Sequence, residues 1–270
     1  MRNKYRRVVA LFLTITLCLS ATISALAAEE NVITIASVEE LLDLSDRCAL
    51  DAWSRGKTVV LTADLSLASV DFLPIPTFAG TFDGGGHTIS GLDLSGRVSP
   101  AGLFGVLQEG AVVRDLNLQG AVTPSGDSGC TGGLAGENRG LISRCSFSGT
   151  VQGGIRVGGI CGLIGPNGKV EYCTVSGGVT GGSMTGGLAG ENRGVTSGCE
   201  NNSYINVTNV DPSVDLSALE LSADLLTLRS LDVANIATDT GGVAGYSSGM
   251  LLSCTNNGIV GCQHIGYNIG

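Results

Sequence analysis

The decapeptide Thr131–Gly140, TGGLAGENRG, recurs unchanged at Thr185–Gly194. Ten identical residues in so short a chain mark an internal duplication, and shorter relatives fill the interval. Gly102-Leu103-Phe104-Gly105, Gly133-Leu134-Ala135-Gly136, Gly159-Ile160-Cys161-Gly162, Gly187-Leu188-Ala189-Gly190 and Gly242-Val243-Ala244-Gly245 all read glycine, aliphatic, small or apolar, glycine. Counted from the aliphatic residue, the steps are 31, 26, 28 and 55, the last close to two periods. Periods of this size belong to stacked repeat architectures.

Each repeat carries a second half. After a turn comes a short alternating run: Val113, Leu116, Leu118; Ile142, Cys145, Phe147; Val170, Cys173, Val175; Leu251, Cys254. Small residues such as Gly120, Gly149 and Gly177 close these runs. Each unit is therefore two or three short strands between glycine turns, with no helical period. One such unit cannot bury its own apolar face, but stacked units can, with like strands about 4.8 Å apart. A parallel β-helix satisfies the pattern. Composition agrees. With 42 glycines in 270 residues, a helical bundle would lose about 1 kcal/mol at each interior glycine. Mean hydropathy of +0.31 and 14% charged residues exclude a disordered chain. There is no Gly-X-Y period, which excludes collagen.

The GLFG-like strings, each followed by G-x-I-x-x-C/L-x-x-x-G, resemble the GLUG motif of bacterial secreted and surface proteins. Phe82-Asp83-Gly84-Gly85-Gly86-His87-Thr88-Ile89, with Gly91-Leu92, resembles the FDGxGHTIxGL segment that opens the β-helix of the same proteins. The resemblance spans roughly Thr58 to Gly270. It implies a right-handed parallel β-helix, similar to the non-catalytic repeats of adhesins and of immunoglobulin-A-cleaving metalloproteases. The motif is specific for fold and poor for activity.

Outside the repeats, the chain divides further. Residues 1–27 read as a signal peptide: Arg2, Lys4, Arg6 and Arg7, an apolar run from Val8, and the small-x-small site Ala25-Leu26-Ala27. An uncleaved membrane anchor is the alternative, since the run is long enough to span a bilayer. Loss of that segment, with its four cations and no acid, takes the formal charge from −9 to −13. So acidic a surface argues against nucleic acid and anionic membranes as partners. Residues 28–57 read as an N-terminal cap. Ser37-Val38-Glu39-Glu40 is a capping box opening a helix from Ser37 to about Trp53. Trp53, the sole tryptophan, is either part of the cap core or a sugar-stacking platform. The β-helix takes residues 58–270, with one non-solenoid insertion at about 200–240. There, no glycine occurs from Cys199 to Thr240, and Asp215 to Leu231 reads as a leucine-rich amphipathic helix or anchored loop. It either binds a partner or covers an apolar patch. The sequons at Asn201 and Asn206 are discounted because the resemblance is bacterial. The chain stops mid-repeat after His264, which reads as truncation, with end-to-end solenoid contacts as the alternative.

Candidate chemistry is sparse. Of nine cysteines, Cys18 lies in the signal, while Cys145, Cys173, Cys199 and Cys254 take one repeat position and Cys161 another. They replace apolar or small residues, and read as buried free thiols in a ladder whose Cβ spacing suits a disulfide poorly. No cofactor or metal is expected: there is no C-x-x-C pair, no HExxH, and only His87 and His264. Asp64, Asp83, Asp93 and Asp115 each have a turn or cap reading rather than that of a paired catalytic carboxylate. Glu137-Asn138-Arg139 and Glu191-Asn192-Arg193 should project on one face two coils apart, as a ligand face or as solvated turns with internal Glu–Arg pairs. The expected function is a non-catalytic secreted or cell-surface scaffold for adhesion or ligand binding, its partner a host or cell-surface protein or glycan. The alternatives are the N-terminal recognition part of a larger secreted enzyme such as a metalloprotease, and a carbohydrate-active β-helix enzyme.

Overall fold

The computed structural model describes residues 31–50, 53–96, 100–125, 129–207, 238–261 and 267–269. The signal segment 1–27 and the core of the insertion, residues 208–237, lie outside the described residues, as does His264. Three parallel sheets wind together. The eight-strand sheet runs in chain order from Val32–Ile35 and Thr58–Leu61 to Val195–Ser197 and Met250–Leu252. The six-strand sheet holds Ile75–Phe78, Phe104–Leu107, Ala135–Asn138, Cys161–Ile164, Ala189–Asn192 and Ala244–Ser247. The third, of eleven strands, contains the longest segments, Ser146–Gly158 and Thr174–Gly186. All the pairings are parallel, so the fold is the expected parallel β-solenoid, with one short helix among the described residues.

Strand periodicity sends alternate side chains inward, and register stacks them into columns. Val59, Phe82, Val113, Ile142, Val170 and Thr196 form one such column. Ile75, Phe104, Ala135, Cys161 and Ala189 form a second. Ile89, Leu118, Phe147, Val175 and Asn201 form a third. All sixteen are buried. The core is aromatic near the N-terminus, where Phe78, Phe82 and Phe104 pack with ring centroids 5.4–6.3 Å apart. It turns polar toward the C-terminus, where buried Asn201 donates to Asn256 at 2.7 Å and Asn206 donates to Thr240 at 3.2 Å. Both sequon asparagines thus point into the core.

Three expectations need correction. Helix α1 covers Val38–Arg47, not the stretch to Trp53. Its capping box forms as expected, with Glu40 N–H donating to the Ser37 hydroxyl and Ser37 N–H to the Glu40 carboxylate. After the last i−4 bond, Cys48 N–H to Leu44, the ladder tightens to i−3 bonds from Ala49 to Asp46 and from Leu50 to Arg47, and the chain then crosses to the strand at Thr58. β-Structure also starts within the expected cap, since Val32–Ile35 pairs with Thr58–Leu61. Finally, the 55-residue step is one coil and not two, because Ala189 pairs directly with Ala244.

The second glycine of each G-x-x-G string is not a turn residue. Gly190 lies inside the strand Ala189–Asn192, and a Cβ there would stand 2.3 Å from the Arg156 carbonyl carbon. Gly136, Gly162 and Gly245 meet backbone from Ala101, Thr131 and Thr185 in the same way. At each coil, the backbone of an earlier segment lies against the sheet where a side chain would otherwise stand.

Candidate functional site

That close approach builds a charged cluster on the outer surface. On the outside of the six-strand sheet, Val106, Glu137, Leu163, Glu191 and Tyr246 form one column. Because the segment around Arg156 crosses over Gly190, the Arg156 guanidinium reaches Glu191 and donates from Nε to Oε2 at 2.5 Å. Arg193 donates from Nε to the other oxygen of the same carboxylate, also at 2.5 Å. The Glu191 side chain is 5% exposed, against 31% for Arg156 and 45% for Arg193. Burial works against the Glu191 charge, but the hydrogen bonds from Arg193 and Arg156 outweigh it and hold the carboxyl below the ordinary range. Two coils earlier the duplicate repeats half of this arrangement. Arg139 donates from Nε to Glu137 at 2.7 Å, with no arginine in the place of Arg156 among the contacts described.

Arg139 and Arg193 share an outer column, with Gly165 between them. Successive backbone bonds fix this order: Arg139 N–H to the Leu107 carbonyl, Gly165 N–H to Asn138, and Arg193 N–H to Ile164. The two arginines therefore stand two rungs, about 10 Å, apart.

Asn138 and Asn192 do not join that face. Both are fully buried at a corner of the solenoid. Asn138 accepts from Gly140 N–H and donates to the Lys169 carbonyl of the next coil; Asn192 accepts from Gly194 N–H and donates to the Met250 carbonyl. They are turn clamps, buried because an inward amide satisfies backbone groups of two coils at once. Of the six candidate residues, Glu137, Arg139 and Arg193 remain on the surface, Glu191 is the buried anchor of Arg193, and the two asparagines belong to the frame. Tyr246 joins the face through register and Arg156 through its crossing over Gly190, and no motif in the sequence marks either.

The other candidates are committed elsewhere. Trp53 packs against the core, with Arg47 and Lys57 at 5.7 and 5.3 Å from its ring centroid. Asp64 accepts from Thr88 N–H and contacts His87, Asp83 pairs with Arg114, and Asp115 with Arg144. Cys48, Cys145, Cys161, Cys173, Cys199 and Cys254 are free thiols. Cys145, Cys173, Cys199 and Cys254 each hold their single S–H within reach of two acceptors, the carbonyl two residues back and a carbonyl of the coil below. Among the described residues no helix is long and apolar enough to cross a membrane.

Comparison with known proteins agrees with the repeat architecture. The family model described as the GLUG motif matches residues 127–152. The chain is 34% identical to halomucin of Haloquadratum walsbyi over 143 residues, which is 46% of this chain and 2% of halomucin. It thus spans a small fraction of that relative. A solved structure described as a putative immunoglobulin A1 protease from Bacteroides ovatus superposes with a TM-score of 0.58 and 18% identity, over 87% of this chain and 74% of the other. At that identity the likeness is one of fold. Repeat strings, column register and these comparisons converge: the chain is a repetitive parallel β-helix in which residues 127–152 match the GLUG motif.

Proposed function

We propose that this β-helix is a non-catalytic scaffold of a secreted or cell-surface protein, and that it holds ligand-contacting side chains at fixed spacing. One observation carries the reading. An identical decapeptide sets Arg139 and Arg193 on one outer column two rungs apart, each anchored through Nε by a glutamate. Binding through Nε leaves the terminal amino groups of each guanidinium at the outer end of a half-exposed side chain. A rigid pair of forks recognises acceptor-rich partners, either a glycan or a cell-surface protein. The signal-like N-terminus and the acidic charge support an extracellular setting.

The test is binding of the purified chain to a glycan array and to immobilised cell-surface proteins, scored for both retention and cleavage. The double variant Arg139→Ala/Arg193→Ala should lose binding while its melting temperature stays close to the parent's. Unchanged binding, or release of cleaved product, overturns the proposal.

A further inference from the structure

A second surface feature lies at a different corner and does not depend on the arginine column. Where the eight-strand sheet meets the eleven-strand sheet, five successive coils each place one residue in the left-handed backbone region: Asp115 (φ 53°), Arg144 (51°), Tyr172 (54°), Gly198 (61°) and Ser253 (51°). The corner takes this conformation in the five coils from Asp115 onward. The N–H of each of these residues up to Gly198 bonds to the next coil: Asp115 to the Ser143 carbonyl, Arg144 to Glu171, Tyr172 to Ser197 and Gly198 to Leu252. Glycine and aspartate suit such a position, whereas a bulky aromatic residue pays a steric cost there.

Tyr172 nevertheless occupies the corner and is 65% exposed, so core burial does not account for it. Its ring has a prepared seat. A Cβ on Gly198, the next residue of the corner, would stand 2.7 Å from Tyr172 Cδ1 and Cε1, so the ring edge rests on bare backbone. On the other side, Arg144 is locked to Asp115 by two hydrogen bonds, Nε to Oδ1 at 2.7 Å and an Nη to Oδ2 at 2.8 Å. These two side chains remain 54% and 32% exposed. The corner thus presents an exposed aromatic ring, about one rung from a rigid pair that offers donors and acceptors together.

We infer that Tyr172, with Arg144 and Asp115, is a carbohydrate subsite that takes one pyranose unit of an extracellular glycan. A pyranose has an apolar C–H face that packs on an aromatic ring, and hydroxyl groups at its rim that both donate and accept hydrogen bonds. An isolated ring beside a charged fork fits that pattern. A proline-rich peptide instead asks for a groove between several aromatic side chains, and the described corner has one ring.

The experiment uses the purified chain on an array of neutral and acidic oligosaccharides, with a polyproline peptide as a competing probe. Tyr172→Asn keeps a residue type that accepts the left-handed backbone, so the corner stays folded. It should weaken glycan retention about tenfold or more, whereas Tyr172→Phe should stay within about threefold of the parent. Arg139→Ala/Arg193→Ala is read on the same array, so the two sites fail separately: loss in the double variant alone counts for the arginine column and against this subsite, and loss in Tyr172→Asn alone counts for the subsite. Absence of parental binding to any oligosaccharide overturns the subsite. So does retention by Tyr172→Asn equal to the parent's, or binding of the polyproline peptide with no glycan.

Discussion

Arg156 and Glu191 stand 35 residues apart in the chain and meet at 2.5 Å on the outer face of the solenoid. The contact exists because Gly190, beside Glu191, has no side chain and admits the Arg156 backbone. Gly190→Ala would force a Cβ to within 2.3 Å of backbone carbon that cannot rotate away. The variant should lose about 2–4 kcal/mol in urea unfolding, in the range of overpacked interior sites. Gly178→Ala is the control: its Cβ would meet nothing within 4 Å, and its stability should stay within about 0.5 kcal/mol of the parent. Equal losses at both sites would refute the close-approach role.

Glu191→Gln removes the charge but keeps the shape, leaving two arginines without their carboxylate. The expected loss at neutral pH is about 1–3 kcal/mol. The pH dependence has a definite sign. A carboxyl held below its ordinary value in the folded state contributes stability that is complete above about pH 4.3, and that stability fades as the pH drops through the lowered folded value. The parent should therefore lose more melting temperature than Glu191→Gln between about pH 5 and about pH 3. Parallel curves would show that the ion pairs add nothing.

At the N-terminal end, Ser37→Ala removes the hydroxyl that accepts from Glu40 N–H. A loss of about 1 kcal/mol is expected, as for other N-cap serines. Loss of helical circular dichroism without loss of β signal would show that α1 folds apart from the coils.

Thiol reactivity should follow burial. Burial pushes the Cys48 thiol up to about 11 and the fully buried Cys161 well above its ordinary range. Cys173 and Cys199 are raised as well, by hydrogen bonding to the adjacent thiol of the ladder and by burial. In the native protein a maleimide should modify the half-buried Cys130 and Cys254 first, and should reach Cys145, Cys161, Cys173 and Cys199 only on unfolding. Mass spectrometry of the labelled peptides reads the order; early labelling of Cys161 would contradict the packing.

Much of this architecture is legible in the chain itself. The steps of 31, 26 and 28 residues between G-x-x-G strings are the register steps of the six-strand sheet, from Phe104 to Ala135, Cys161 and Ala189. That agreement has a physical cause. A parallel solenoid stacks equivalent residues directly on one another, so sequence spacing and spatial register are the same quantity. Interior identity was legible for the same reason, as in the exchange of Leu116 for Cys145 and Cys173.

The candidate face was harder to read, because its members differ in direction rather than in type. Glu137, Asn138 and Arg139 are consecutive polar residues, yet Asn138 turns inward to clamp two coils while its neighbours face out. Arg156 carries no motif and reaches its site across the fold. Tyr172 owes its exposure to a left-handed corner that leaves no mark on residue type.

Periodic composition was enough to establish that coils stack, which strands stack and which columns are apolar, since a repeat cannot bury its face by any other route. Only the folded chain decided what the recurring glycines are for. In strands such as Ala189–Asn192 the second glycine makes room for a neighbouring backbone instead of forming a turn. That requirement depends on a segment from an earlier coil, and a contact between distant segments is visible only once the coils are closed.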